Sequence, residues 1–589
     1  MLHQTVVRLA LGSAILILIL GIAYNFSTVY YEGATSQVIV TSPIITGRKV
    51  QSKDDSEGNL KFDQESVPQA LPWYPELETI PLAPDPEWTA KEQLLPGLIP
   101  PHVHYVWCGQ GRWFEFKHYL SIHSAARWIR PDRIIFHYED LPKIDKLHYH
   151  QWFDQLKHDQ PFFDAVKMSK NQSAVLCYED NRDKQLSTLL EMLSEEGGIY
   201  IGETTWMLSF PAIKRLMDFI YALEPTSLEG FLLLRKGLLN KDMNYMSLLK
   251  DNKRKSQSTS CAFVQHIMEG AKNPQCLIVK GKQFQMFSPM NVWELDDEFG
   301  RIVRKLYYGT ENFIRPQPSY DELVPNIGHM IWIGGGPMNF VFYLSVLSLL
   351  YVMEVDSVYI HADQEPAGQY WQELRNNTRI KLINRLPPYK IYGGTIEPYY
   401  RALMSDIIRV DLMIKYGGIY TDTDAIWVKP LSLQDRGYEA VAAFDWVDWS
   451  YPFPDSINFG LSYGKRNAPF WRIFRESMRE LHNDVHGFTG VMEPYKLMEQ
   501  HPNLIRIDPH LQVICYQQKC HPTWVHDYHN MSKNHENMGS IPNWREDVHA
   551  FHWTHPDPPE YKDMETLLAS NSMFADIGKM VLRKAGIIK

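Results

Sequence analysis

The sequence predicts an α/β protein in which one layered unit of strands and helices is laid down twice behind an N-terminal anchor and stem. Three observations predict it. Short apolar runs bounded by glycine or proline alternate with longer runs of helical period, the pattern of an α/β layer. The plan of residues 98–315 returns in 316–589, about 225 residues further on. Both copies contain the same glycine corner, Gly197-Gly198-Ile199-Tyr200 and Gly417-Gly418-Ile419-Tyr420.

Residues 9–24, LALGSAILILILGIAY, form an uncharged apolar run. They read as a signal-anchor over 9–25 behind a short tail, 1–8, with Arg8 able to snorkel. A cleaved signal peptide is the competing reading, because Gly21-Ile22-Ala23 resembles a small-residue cleavage site. Either way the chain enters the secretory pathway. A short span suits the thinner membranes early in that pathway. Residues 26–97 read as a stem. From residue 32 this stretch holds 8 prolines, 11 acids and 5 bases, a composition that favours an extended spacer. A Pro-rich strap lying on a globular domain is the alternative.

The remainder has ordinary globular composition, 44% hydrophobic and 22% charged. A net charge of −10 argues against a general nucleic-acid binder. Six cysteines fit an oxidising lumen. Candidate pairs are Cys108 with Cys177, Cys261 with Cys276, and Cys515 with Cys520; buried free thiols are the alternative. Sequons at Asn171, Asn376 and Asn530 agree with a lumenal chain, whereas Asn25 lies close to the membrane.

The first copy opens IPPHVHYVWCGQG at 99–111 and the second VPNIGHMIWIGGG at 324–336. His104 matches His329, Trp107 matches Trp332, and His137 in the next strand matches His361. At the glycine corner the apolar positions persist and the ionisable ones do not. Gly202 stands where the second copy has Asp422, Thr204 where it has Asp424, and Leu186 and Leu189 where it has Asp406 and Arg409. Glycines and apolar residues suffice to specify the fold. Without the carboxylates the first copy has no evident metal site. The linker between the copies is read as 315–322, RPQPSYDE.

An isolated Asp-x-Asp carries little weight, since about one is expected by chance in a chain of this length. Here Asp422 and Asp424 follow a helix over 398–416 that places Asp406 and Arg409 three apart on one face. Residues two apart on a strand point the same way, so both carboxylates could face one cation at the end of a strand, with Thr423 turned inward. Ligands in open α/β sheets sit beyond the carboxyl ends of strands. A divalent cation held there, with Arg409 as a fixed charged fork, suits a leaving pyrophosphate.

The run Ser405-Asp406-x-x-Arg409, Gly417-Gly418-Ile419-Tyr420-x-Asp422-x-Asp424, Pro430-Leu431 resembles the Asp-x-Asp glycosyltransferases of family 32. These include the α-1,4-galactosyl- and N-acetylglucosaminyltransferases and the yeast outer-chain mannosyltransferases. The run is also similar to the catalytic domain of the clostridial glucosylating toxins. The resemblance covers roughly 323–560, with a decayed echo over 98–315. It implies a GT-A fold, a nucleotide-sugar donor, a glycan acceptor, Mn2+ or another divalent cation, and retention of configuration. It further implies that Trp332 stacks on the base, that Asp406 and Arg409 bind the donor's sugar and phosphates, and that Tyr420 contacts the nucleotide. By the same resemblance Asp422 contacts ribose and the metal's water, Asp424 ligates the metal, His552 lies near the metal or donor, and Asn458 near the donor sugar. Glu493-Pro494 departs from the Gly-Pro of many members, which puts the acceptor-side loop in doubt. No nucleophile is identifiable.

The implied setting is a type II Golgi membrane protein with a degenerate first domain (98–315) and a catalytic second one (316–589). It would move a hexose or N-acetylhexosamine from a nucleotide sugar, UDP-linked, to a glycan on glycoprotein or glycolipid. The rival class is an inactive lectin-like or scaffold protein of the secretory pathway. Blander readings are a mere helix salt bridge for Asp406 and Arg409 and a core position for Trp332. Zinc at His549, His552 and His555 is disfavoured, because no closed ligand framework surrounds them.

Overall fold

The computed structural model describes Asp63–Gln64 and residues 102–145, 147, 149–210, 219–223, 227–236, 262–264, 277–280, 287–293, 295–313, 315–445, 453–479, 487–514, 543–553 and 561–589. The predicted anchor, Cys261, Cys276, Cys515, Cys520, Asn25 and Asn530 lie outside these. No helix among the described residues is long and apolar enough to cross a membrane.

The first copy contributes β1 (His102–Trp107), α1 (Phe116–Ile129), β2 (Arg133–Tyr138), β3 (Phe163–Lys167), α2 (Arg182–Glu196), β4 (Gly198–Ile201), β5 (Phe219–Leu223) and β6 (Gly230–Leu234). These strands form a six-stranded sheet in the order β3-β2-β1-β4-β6-β5. The pairings among β3, β2, β1 and β4 are parallel, and β6 runs antiparallel to both β4 and β5.

The second copy contributes β7 (Ile327–Trp332), α3 (Phe340–Tyr351), β8 (Ser357–Ala362), β9 (Ile380–Asn384), α4 (Arg401–Lys415), β10 (Gly418–Thr421), β11 (Ala425–Trp427), β12 (Ala440–Phe444), β13 (Ile457–Gly464), β14 (Arg506–Ile507), β15 (Leu511–Ile514) and β16 (Ala550–Trp553). Its sheet contains β9-β8-β7-β10-β13-β12, the same order with the same parallel and antiparallel pairings. β14 extends it at one edge. At the other edge lies Asp63–Gln64, from within the predicted stem, paired with Ile383 and Asn384. That part of the stem is therefore sheet rather than free spacer.

Each glycine corner leads into a second, three-stranded sheet. Thr205–Ser209 pairs antiparallel with Leu277–Lys280, which pairs parallel with Ala262–Val264. In the second copy β11 pairs antiparallel with β16, which pairs parallel with β15.

The corner is held the same way in both copies. Gly417 and Gly418 sit at φ +62° and +107°. A Cβ on Gly418 would meet the Ile327 carbonyl oxygen at 2.6 Å, so the strands close only around glycine. His329 Nε2–H donates to the Gly417 carbonyl (3.0 Å), and its Nδ1 then accepts from His361 Nε2–H (3.2 Å). His104 makes the same bond to Gly197 (3.3 Å) and pairs with His137 (3.0 Å). Burial pushes His104 and His329 down to about 4, so both work as neutral struts.

The copies pack on one another. A single hydrophobic cluster joins Tyr105, Trp152 and Leu306 of the first to Met404, Tyr420 and Phe459 of the second. The described residues of both copies fall in one compact unit. The predicted linker is part of it: Ser319 N–H donates to the Gly437 carbonyl and Lys465 Nζ donates to the Ser319 carbonyl. At the seam Glu499 is fully buried, and Tyr149 Oη–H reaches across to its Oε1 (2.9 Å). Cys108 and Cys177 form the expected disulfide. Asn171 and Asn376 are exposed.

Candidate active site

α4 runs from Arg401 to Lys415, a few residues inside the predicted 398–416. Its apolar positions, Ile407, Ile408, Val410 and Leu412 among them, bury against the sheet. Asp406 and Arg409, one turn apart, face the end of β10 instead. Arg409 Nη1 lies 3.2 Å from Asp406 Oδ1, and Nη2 lies 3.3 Å from Asp422 Oδ1. Its guanidinium stacks over the Tyr420 ring, 4.4 Å from the centroid. Tyr420 Oη–H donates to Asp422 Oδ1 at 2.6 Å. The pair is thus more than a helix salt bridge, because Arg409 ties α4 to the carboxylate after the corner. The equivalent residues of the first copy, Leu186 and Leu189, lie in its core.

Asp422 and Asp424 do not sit on a strand, as the alternation argument supposed. β10 ends at Thr421, and the two carboxylates lie in the turn before β11, with Thr423 half-buried like them. The turn converges them because Asp422 N–H donates back to the Gly460 carbonyl (2.7 Å) and β16 pairs alongside β11. That pairing places His552 opposite Ala425. His552 Nε2 comes within 3.2 Å of Asp424 Oδ1 and 3.5 Å of Asp422 Oδ2.

Behind it, His552 Nδ1 meets Asn458 Oδ1 at 3.0 Å. A hydrogen bond there puts a proton on Nδ1; without a cation Nε2 carries the second proton toward Asp424, and loss of that proton would free its lone pair for a metal. This is the outer-shell arrangement that orients a metal-binding histidine. The three ligand atoms all lie within 4.8 Å of one another. Two carboxylate oxygens and one imidazole fit a divalent cation such as Mn2+.

Electrostatics describe the same cluster without a cation. Burial pushes the Asp422 carboxyl up, but Arg409 and then His552 outweigh it and hold the group below the usual aspartate range. Burial lowers His552, yet Asp424 and Asp422 carry it above the usual histidine value. Asp406 is pushed up to about 6 by burial, against the pull of Arg409.

A cavity of about 280 Å³ opens beside Asp422, lined by Tyr400, Arg401, Asp406, Arg409, Asp422, Asn458 and Thr489 among others. Trp332 does not line it; its ring packs on Phe342, 5.0 Å between centroids. His549 belongs elsewhere. Its Nδ1 and that of His510 both bond Asp508, at 3.1 and 2.9 Å, so the carboxylate is satisfied by hydrogen bonds. His555 lies outside the described residues. Sequence reasoning passed over Arg401 and Thr489, which have no local pattern to mark them.

Residues 369–442 match the family described as "Glycosyltransferase sugar-binding region containing DXD motif". A 183-residue stretch is 23% identical to "Glucan organizing enzyme 1" of Cryptococcus neoformans var. grubii serotype A (strain H99), covering 29% of this chain and 47% of that protein. The chain thus spans about half the length of the curated relative it matches. Among solved structures, the PaToxG glycosyltransferase aligns with 31% of this chain and 70% of its own at 18% identity and TM-score 0.25. The galactosyltransferase LgtC in complex with donor and acceptor sugar analogs aligns with 45% and 96% at 13% identity and TM-score 0.23. The GlyE glycosyltransferase of Streptococcus pneumoniae TIGR4 aligns with 55% and 92% at 11% identity and TM-score 0.20. The α/β assignment stands on the strand order described above. The matched segment, residues 369–442, contains the DXD motif at Asp422 and Asp424.

Proposed function

We propose that the chain is a metal-dependent glycosyltransferase that moves a hexose or N-acetylhexosamine from a UDP-linked sugar to a glycan on glycoprotein or glycolipid, with retention of configuration. In this reading residues 316–589 are a catalytic GT-A domain and 98–315 a degenerate copy that supports it. The chain is a type II Golgi membrane protein with its catalytic domain in the lumen.

The observation that carries the reading is the convergence of Asp422, Asp424 and His552, with Asp422 also lining a cavity whose wall holds Asp406 and Arg409. Asp422, Asp424 and His552 would hold the cation, which supplies charge neutralisation for a departing pyrophosphate. Arg409 offers a permanently charged planar fork, already fixed by Asp406 and Asp422, for the same phosphates. Asp406, in the wall of that cavity, would accept hydrogen bonds from hydroxyls of the transferred sugar. Asn458 orients the imidazole of His552. No carboxylate is assigned as a nucleophile.

The test is hydrolysis or transfer from a panel of UDP and GDP sugars, with and without Mn2+. We expect manganese-dependent turnover of at least one donor that disappears in Asp424→Ala. Turnover that survives this substitution would sink the proposal.

A further inference from the structure

The donor cavity has one wall that the motif does not account for. Residues 488–492 form a single π-helical turn, Phe488–Met492, leading into the helix Glu493–Gln500. Such turns displace a residue from regular helix and often mark functional positions. Here the turn presents Thr489 to the cavity. Thr489 is 4% exposed, and its hydroxyl has no hydrogen-bond partner among the described residues. A buried hydroxyl without a partner is costly, so the position calls for a ligand group that restores the bond.

Two neighbours say what kind of group. Gly490, the next residue, packs so closely on α4 that a Cβ there would run into the Asp406 carboxylate, and Asp406 lines the same cavity as Thr489. Arg409 Nε is also buried without a partner among the described residues, and Arg409 lines the same cavity. The wall therefore offers a carboxylate that only accepts, an N–H that only donates, and a hydroxyl that does either. Hydroxyl groups on a sugar ring are matched to that set, because each donates and accepts at once. A phosphate would meet the Asp406 charge, and a base would need a flat apolar face.

We infer that Thr489 is a specificity-determining residue of the donor site. Its hydroxyl bonds a free ring hydroxyl of the transferred sugar, on the side of the ring that Asp406 also holds. The inference rests on the donor-site reading above and deepens it.

The experiment measures binding to the full chain in Mn2+ by calorimetry. Probes are UDP and GDP without sugar, and UDP-glucose, UDP-galactose, UDP-N-acetylglucosamine and GDP-mannose. In Thr489→Val, which keeps the shape and removes the hydroxyl, affinity for the preferred nucleotide sugar falls about tenfold while the bare nucleotide binds as in the wild type. Thr489→Ser restores the sugar-dependent increment. If Thr489→Val keeps full affinity for the nucleotide sugar, or loses nucleotide and nucleotide sugar equally, the role assigned to Thr489 is overturned. A wild-type chain that binds none of the six probes overturns the donor-site reading itself and this inference with it.

Discussion

The corners at 197–204 and 417–424 share strand order, paired histidines and the bond from the following residue to a glycine carbonyl. Gly202 N–H donates to the Gly230 carbonyl as Asp422 N–H does to Gly460. What differs is everything that could hold a charged ligand. The first copy has Gly202, Thr204 and, at the register position of His552, Lys280. It has also closed the space. Glu229 is buried against the turn, and its Oε2 accepts from Thr204 N–H (3.2 Å) and the Thr205 hydroxyl (2.8 Å). A Cβ at Gly202 would lie 2.6 Å from that oxygen. The lesson is that a corner of this kind is a scaffold first. Where the second copy has its carboxylates, the first has a buried glutamate held by a backbone N–H and a hydroxyl.

The largest expected effect breaks the symmetry outright. Asp424→Ala lowers manganese-dependent donor turnover by about a hundredfold or more, whereas Thr204→Ala at the matching position leaves it unchanged; initial rates decide. Next, the first copy should resist repair. Gly202→Asp with Thr204→Asp gains no manganese site, because Glu229 already fills that space. It destabilises the fold by about 3 kcal/mol through overlap and like charge, read as a lowered thermal midpoint. If the double variant instead binds a second manganese ion, the account of Glu229 is wrong. A smaller effect probes the histidine's orientation. Asn458→Leu weakens manganese about 10- to 100-fold in a metal titration, since His552 loses the partner on Nδ1.

The last prediction concerns the seam. Burial pushes Glu499 up to about 8, against hydrogen bonds from Tyr149 and Tyr495, so it is neutral in the folded chain at pH 7. A raised carboxyl pKa favours the folded state fully below the unfolded value near 4.5, and that advantage is lost as pH climbs through about 8. Stability should fall by about 1 kcal/mol per pH unit across that window. Glu499→Gln flattens the fall, measured as thermal midpoint against pH. A slope unchanged by the substitution would place the titration elsewhere.

Much of this was legible in the chain itself. The matching openings of the two halves, both glycine corners, the Asp406–Arg409 pair and the Asp-x-Asp motif are local patterns: period, spacing, and positions that only glycine tolerates. Cys108 and Cys177 were paired correctly because they fall in one copy. Trp332 was read as a stacking platform from its match alone; its ring lies beside that of Phe342, and the stacking role is a proposal.

Other features depend on segments far apart in sequence, and only the tertiary structure decided them. β16 carries His552 to Asp424 across more than a hundred residues, and the π-turn carries Thr489 to Asp406. Glu229 enters a space whose walls belong to other elements, and Glu499 is buried by a partner, Tyr149, from the other copy. The physical reason is the same in each case. Backbone pattern is set by neighbours along the chain, but which atom fills a given space is set by whatever long-range packing brings there.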